Sequence, residues 1–227
     1  TLFRSQRMTD QTVDYGYRFN MKYQPGITTY EIFGCDNKDR DAFSDHGRSD
    51  RDAETVRVSE DYKPGSAGIR YNNVGRDAAG NIVDVRLSLM GVENAERRYD
   101  IRTPITKTEN DGGISFGWEN NESYPVVGFS RNSIGVFIYS VGSAKVNFQF
   151  LKHGTEEVLS VRGHGTIRDI DAAQAVEIPS DSNLDQIYIL SDNDFLKVNG
   201  NYVGSQNVAI EPDDQKGWMN MLYDTDN

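Results

Sequence analysis

The sequence predicts an all-β protein, an antiparallel β-sandwich with long ordered loops. Three observations predict it. Short runs of alternating apolar and polar residues recur along the 227 residues, and strict alternation marks a half-buried strand. Turn residues, including 21 glycines, punctuate these runs at short spacing, as in sandwiches, jelly rolls and lectin-like folds. Strands and helical patterns do not alternate, and no repeat of fixed period is present. The length suits a single domain over 1–227. The abrupt opening "TLFRSQRM" and ending "LYDTDN" read as a piece of a larger protein, so neighbouring domains of the same chain are expected partners.

The clearest alternation is "TVDYGYRFNMKY", where Val13, Tyr15, Tyr17, Phe19, Met21 and Tyr23 share one face. It predicts a long strand, ended by the turn at Pro25–Gly26. Next, "AGIRYNNVG" and "NIVDVRLSLMGV" flank "RDAAG", a hairpin signal with Gly80 near the turn. In the second arm Val83, Val85, Leu87 and Leu89 share a face. "GISFGW", "YPVVGF", "SIGVFIYSV" and "AKVNFQF" continue the series, the last with Val146, Phe148 and Phe150 on one side. "DQIYIL", "DFLKV", "NYVGS", "NVAI" and "GWMNMLY" complete it. Two stretches break the pattern, Asp36–Asp61 and Glu93–Gly113; both read as long loops.

Charge narrows the function classes. With 24 basic and 35 acidic side chains the net charge is −11. Such a surface disfavours nucleic-acid phosphates and anionic membranes. No apolar run reaches the length that spans a bilayer, so membrane insertion is not expected. One cysteine, Cys35, excludes an internal disulfide and reads as a small buried residue. His46, His153 and His164 lack zinc spacing. The acid groups Asp36/Asp39/Asp41, Asp192/Asp194 and Asp224/Asp226 do not match the EF-hand spacing. No G-x-S-x-G, P-loop or H-E-x-x-H occurs, so an enzyme is not expected.

The segment "VRGHGTIRDIDAAQAVEI" poses a sharper problem. Leu159, Val161, Gly163, Gly165 and Ile167 alternate in one phase, and Asp169 and Asp171 fall in the same phase. Two unpaired carboxylates facing a core would cost several kcal/mol. The strand ends there with Asp residues capping a turn, or a bulge shifts the phase, or a cation such as Ca²⁺ takes Asp169 and Asp171 as ligands. A further role, as the acid of a Lys–Asn isopeptide crosslink, needs a buried lysine, and Lys145 reads as outward-facing.

With "IRYNNVGRDAAGNIVDVRLSLMGVE" and "RNSIGVFIYS", this segment resembles the phrasing of adhesin-type β-sandwich modules in large wall-anchored surface proteins of Gram-positive bacteria. The likeness runs over roughly residues 66–223. It implies a secreted, cell-wall-anchored module that binds a host glycan or an extracellular protein non-covalently. A stalk or spacer domain, with or without an intramolecular crosslink, is the alternative, and a glycan-active enzyme the third. Trp118, Asn120, Tyr124 and Trp218, at strand ends in "GWENNESYP" and "KGWMN", are the candidate ligand residues: aromatic faces stack on sugars while amides bind hydroxyls; the alternative for the tryptophans is the ordinary core filler of a sandwich. The two long loops are the expected recognition surface.

Overall fold

The structure is a computed structural model that describes residues 2–5, 16–34, 53–57, 63–94, 105–110, 113–118, 126–139 and 141–226. The protein is all-β, built of several mostly antiparallel sheets. In chain order the described strands are β1 (Leu2–Ser5), β2 (Thr29–Phe33), β3 (Ala53–Arg57), β4 (Gly68–Arg76), β5 (Ile82–Asn94), β6 (Ile105–Asn110), β7 (Gly113–Trp118) and β8 (Val126–Ser130). They continue with β9 (Val136–Tyr139), β10 (Val141–Lys152), β11 (Arg162–Ile167), β12 (Ala175–Glu177), β13 (Leu184–Ile189), β14 (Leu196–Asn199), β15 (Tyr202–Ser205) and β16 (Met219–Asp224). A 3-10 turn, Gln215–Gly217, precedes β16. The length suggested one domain over 1–227. The packing divides the chain into two compact units, Thr1–Met21 with Gly75–Asn81 and Leu159–Asn227, and Lys22–Val74 with Ile82–Val158.

In the first unit two sheets face each other. One has the order β1-β13-β16-β11, the other β12-β15-β14. β1 pairs with β13 in parallel, Leu2 opposite Gln186; the other pairings in these two sheets are antiparallel. Between them lies a core of Ile170, Ile178, Ile187, Phe195, Leu196, Val203 and Met219. Alternation explains the faces: Met219 and Met221 turn inward while Asn220 turns outward. The stretch "NVAI" forms no strand. Its backbone is taken up by the loop after β11, where Ala172 N–H donates to Val208 O (3.0 Å).

In the second unit β10, β5, β4 and β2 form one sheet, β3, β8 and β9 another, and β6 and β7 a hairpin. Val83, Val85, Leu87 and Leu89 are fully buried along β5, as their alternation requires. Val127 and Phe129 of β8 are equally buried, and the Tyr71 hydroxyl of β4 donates to Ser130 O (2.6 Å). The β4–β5 hairpin closes as its sequence predicts, with Gly80 N–H donating to Asp77 O (3.1 Å) and Gly80 at φ 86°.

Three expectations need correction. First, the alternating segment that begins at Thr12 forms no long strand in its described part. Tyr17 and Phe19 are buried, but a single parallel bridge, Phe19 to Gly163, joins residues 16–23 to a strand. The segment leaves the first unit after Met21, and Lys22 N–H donates to Val74 O (2.8 Å) in the second. Alternation reported one-sided burial of extended backbone; it did not report a ladder. Second, the two stretches read as loops contain strands. β3 lies within Asp36–Asp61 and pairs with β8, and β6 lies within Glu93–Gly113 and pairs with β7. Their ladder hydrogen bonds replace the apolar rhythm the sequence lacks. Third, Phe148 does not share the burial of Phe150. It stands opposite Leu87 yet is 44% exposed, because β10 is an edge strand.

Candidate functional site

β11 and β16 pair with Gly163 opposite Tyr223, Gly165 opposite Met221 and Ile167 opposite Met219. That register puts Arg162, His164 and Thr166 on the outer face. Glycine is required at 163 because the backbone of Phe19 comes so close: a Cβ there would lie 2.4 Å from Phe19 O. Phe19 N–H donates to Arg162 O (3.2 Å) and His164 N–H to Phe19 O (2.9 Å). This lays Tyr17 over the outer face, where it packs with Tyr188 and Leu222. Its hydroxyl donates to Asp185 Oδ2 (2.5 Å), and Arg162 Cζ sits 4.3 Å from its ring centre. Burial, with the carboxylate acceptor, pushes the Tyr17 phenol above its ordinary pKa. One end of the face is thus covered.

The other end is open. Thr166 stands opposite Asn220, and its hydroxyl donates to Asn220 Oδ1 (2.7 Å). Next along, Trp218 is half-buried and its indole Nε1–H donates to Pro212 O (3.1 Å). Arg168, exposed, places its guanidinium carbon 4.4 Å from the Trp218 ring centre. Trp218 and Arg168, far apart in sequence, are brought together here.

The carboxylates take different courses. β11 ends at Ile167, and Asp169 adopts φ 62°. This left-handed step breaks the strand phase: Asp169 becomes exposed and Ile170 enters the core. Asp171 is 8% exposed and accepts from Ile210 N–H (3.0 Å). Ala172 and Ala173 also have positive φ, 45° and 64°. Such conformations cost non-glycine residues roughly 1–2 kcal/mol each. The loop holds them through backbone hydrogen bonds from Ile170 N–H to Gly217 O (3.1 Å), Ala173 N–H to Gln206 O (3.0 Å) and Gln174 N–H to Asp171 O (2.7 Å). Ca²⁺ takes six to eight oxygens. Asp169 and Asp171 supply two carboxylates, and among the described residues no group of three or more His, Cys, Asp or Glu side chains is placed to hold a metal.

The backbone of Trp118 ends β7 in the second unit, whereas Trp218 belongs to the first. Asn120 and Tyr124 lie outside the described residues, as do Cys35, Asp36, Asp39, Asp41 and His46. Asp192 and Asp194 are exposed before β14. Asp224 receives Arg162 Nε at 3.2 Å. Lys145 is exposed on β10, as expected.

Sequence reasoning missed a second polar centre. Asp84 of β5 is fully buried. It accepts from Arg70 Nη2 (2.7 Å), Asn73 N–H (2.8 Å), His153 Nδ1 (2.8 Å) and Gly154 N–H (3.1 Å). Arg70 also donates to Glu156 Oε1 (2.9 Å) and Thr155 O (2.7 Å). Burial pushes the Asp84 carboxyl up, but these donors together outweigh it and hold the carboxyl below its ordinary range. The network ties the turn after β10 to the polar face of β4 and β5. Its only sequence signal was an ordinary polar position in an alternating strand. Arg168, which lies over the Trp218 ring, and the neighbouring Thr166–Asn220 pair were missed for the same reason, although their spacing of two in each segment carried a usable hint.

The class defined by fold and site is an all-β protein with a polar, aromatic patch on an outer sheet face. No family model and no curated protein matches the sequence. Among solved structures, the chain is similar to the N-terminal domain of the Streptococcus gordonii adhesin Sgo0707, with a TM-score of 0.42 and 10% identity. That likeness covers 97% of this chain and 60% of the adhesin chain, so the protein spans less than two thirds of that neighbour.

Proposed function

We propose that the chain is a recognition module of a secreted, wall-anchored surface protein, adhesin-like in type, that binds a glycan or an extracellular protein without a covalent bond. The observation that carries this reading is the open end of the β11–β16 face, where Arg168 and Trp218 stand beside Thr166 and Asn220. An indole fixed by its hydrogen bond to Pro212 O, next to a hydroxyl and an amide, suits a ligand with both an apolar face and hydroxyl groups. The loop that carries Arg168 is held by backbone hydrogen bonds despite three positive-φ residues. A site ordered before binding loses less entropy when the ligand arrives.

The test is a screen of the 227-residue chain against a glycan array and a panel of extracellular matrix proteins, repeated with Trp218→Ala. The expected result is a binder whose affinity drops at least about tenfold in the variant, roughly 1.4 kcal/mol. No binder above background, or one indifferent to Trp218→Ala, would overturn the reading.

A further inference from the structure

We infer that the ligand unit at this face is a sugar bearing a single carboxylate, and that Arg168 takes that carboxylate. The inference rests on the proposed recognition role of the face and names its ligand class.

The arginines of the described residues divide sharply. Arg70 pairs with Asp84 and Glu156, Arg86 with Glu156 and Arg162 with Asp224. Arg168, in a chain where acids outnumber bases, makes no side-chain hydrogen bond or ion pair among the described residues; its contact is the Trp218 ring. A guanidinium held by a ring face spends none of its five N–H donors on that contact. They remain available in the fork geometry that matches a carboxylate.

The neighbouring row supplies what a sugar needs. The Thr166 hydroxyl donates to Asn220 Oδ1. That leaves the two Asn220 amide N–H donors and the Thr166 oxygen lone pairs for hydroxyl groups. The Thr166–Asn220 pair and the Arg168–Trp218 pair just beyond the strand ends are two residues apart in each segment, about 6.7 Å for extended backbone. One pyranose with its substituents spans that distance, its carboxylate on Arg168 and its hydroxyls on Thr166 and Asn220.

Charge separates this ligand from a polyanion. A net charge of −11 repels a densely charged chain. At physiological ionic strength that field is screened over roughly 8 Å, so a lone carboxylate between neutral sugars meets mainly its local partners.

The experiment follows the Trp218 indole N–H by NMR, assigned by its loss in Trp218→Phe. Three probes are titrated: a tetrasaccharide alternating glucuronate and N-acetylglucosamine, its carboxyl-reduced neutral form, and a heparin tetrasaccharide. A saturating shift with the uronate probe is expected, at least about tenfold tighter than with the other two. Arg168→Gln should erase the preference for the uronate over its neutral form, and Arg168→Lys should restore part of it. Equal affinity for the acidic and neutral probes, or a preference untouched by Arg168→Gln, would overturn the inference while leaving glycan recognition at this face intact. Tighter binding of heparin would overturn the single-carboxylate reading alone. No shift with any probe, beside a Trp218-dependent protein ligand in the panel, would overturn the inference and preserve the recognition role. No shift together with an empty panel would overturn both.

Discussion

Asp84 and Asp171 are buried carboxylates, one in each compact unit, and they are held in different ways. Asp84 stood in the polar phase of β5, where solvent was expected, and is 0% exposed. An arginine, a histidine and two backbone N–H groups surround it. Asp171 stood in the apolar phase beyond β11, where a core was expected. The left-handed step at Asp169 removes it from that phase, and its carboxylate accepts one backbone N–H, from Ile210. Strand phase therefore decided the environment of neither. A carboxylate is buried where donors from other segments close over it, and phase governs only the strand it belongs to.

The largest expected effect is at Asp84. Asp84→Ala leaves Arg70 buried without its central partner and should cost about 3–5 kcal/mol in denaturant unfolding. Hydrogen exchange should show the greatest loss of protection at Val85 and Leu87 of the second unit. A cost below about 1 kcal/mol would mean that Glu156 alone suffices for Arg70. The pH dependence follows from the lowered carboxyl. Its contribution is present above the unfolded value, about 3.9, and is lost as the pH falls through the lower folded value. The stability gap between wild type and Asp84→Asn should narrow as the pH falls below about 4. A gap that narrows already near neutrality would implicate another group.

Gly163→Ala should come next. Its methyl group would meet both Phe19 O and the Tyr223 hydroxyl, at a cost of about 1–3 kcal/mol, with the parallel bridge from Phe19 lost. Asp171→Ala should cost about 1–2 kcal/mol, since one hydrogen bond to a carboxylate is removed. Amide exchange at Ile210 should accelerate. If Asp171→Ala proves as costly as Asp84→Ala, the contrast between the two carboxylates fails. The smallest effect has the opposite sign. Ala173→Gly relieves a positive φ of 64° and should stabilise the first unit by up to about 1 kcal/mol. If the loop is held for recognition, the same variant should also weaken ligand binding, because some preorganisation is lost.

Much of the fold was legible because it depends on neighbours in sequence. The β4–β5 hairpin follows from "RDAAG" and from four apolar residues at period two, and the 3.0 Å bond from Asp77 N–H to Asn81 O closes it. The inward set of β16 and the end of β11 near Asp169 are local as well. The candidate site was legible only in parts. Trp218 and Asp169–Asp171 were singled out separately, and their union at Arg168 depends on β11 pairing with β16.

The sequence by itself determined where the backbone is extended, which side of each strand carries the apolar residues, and that the chain is all-β. Alternation and turn residues act within a few positions, so one sequence suffices to read them. Tertiary structure alone decided which segments are partners. It sent Tyr17 to Asp185, 168 positions away. It moved the chain from one unit to the other after Met21 and closed the turn after β10 over Asp84. It also stacked Arg168 on Trp218. Those choices depend on which distant donor, acceptor or ring completes a buried group most favourably, a comparison among alternatives that no local pattern encodes.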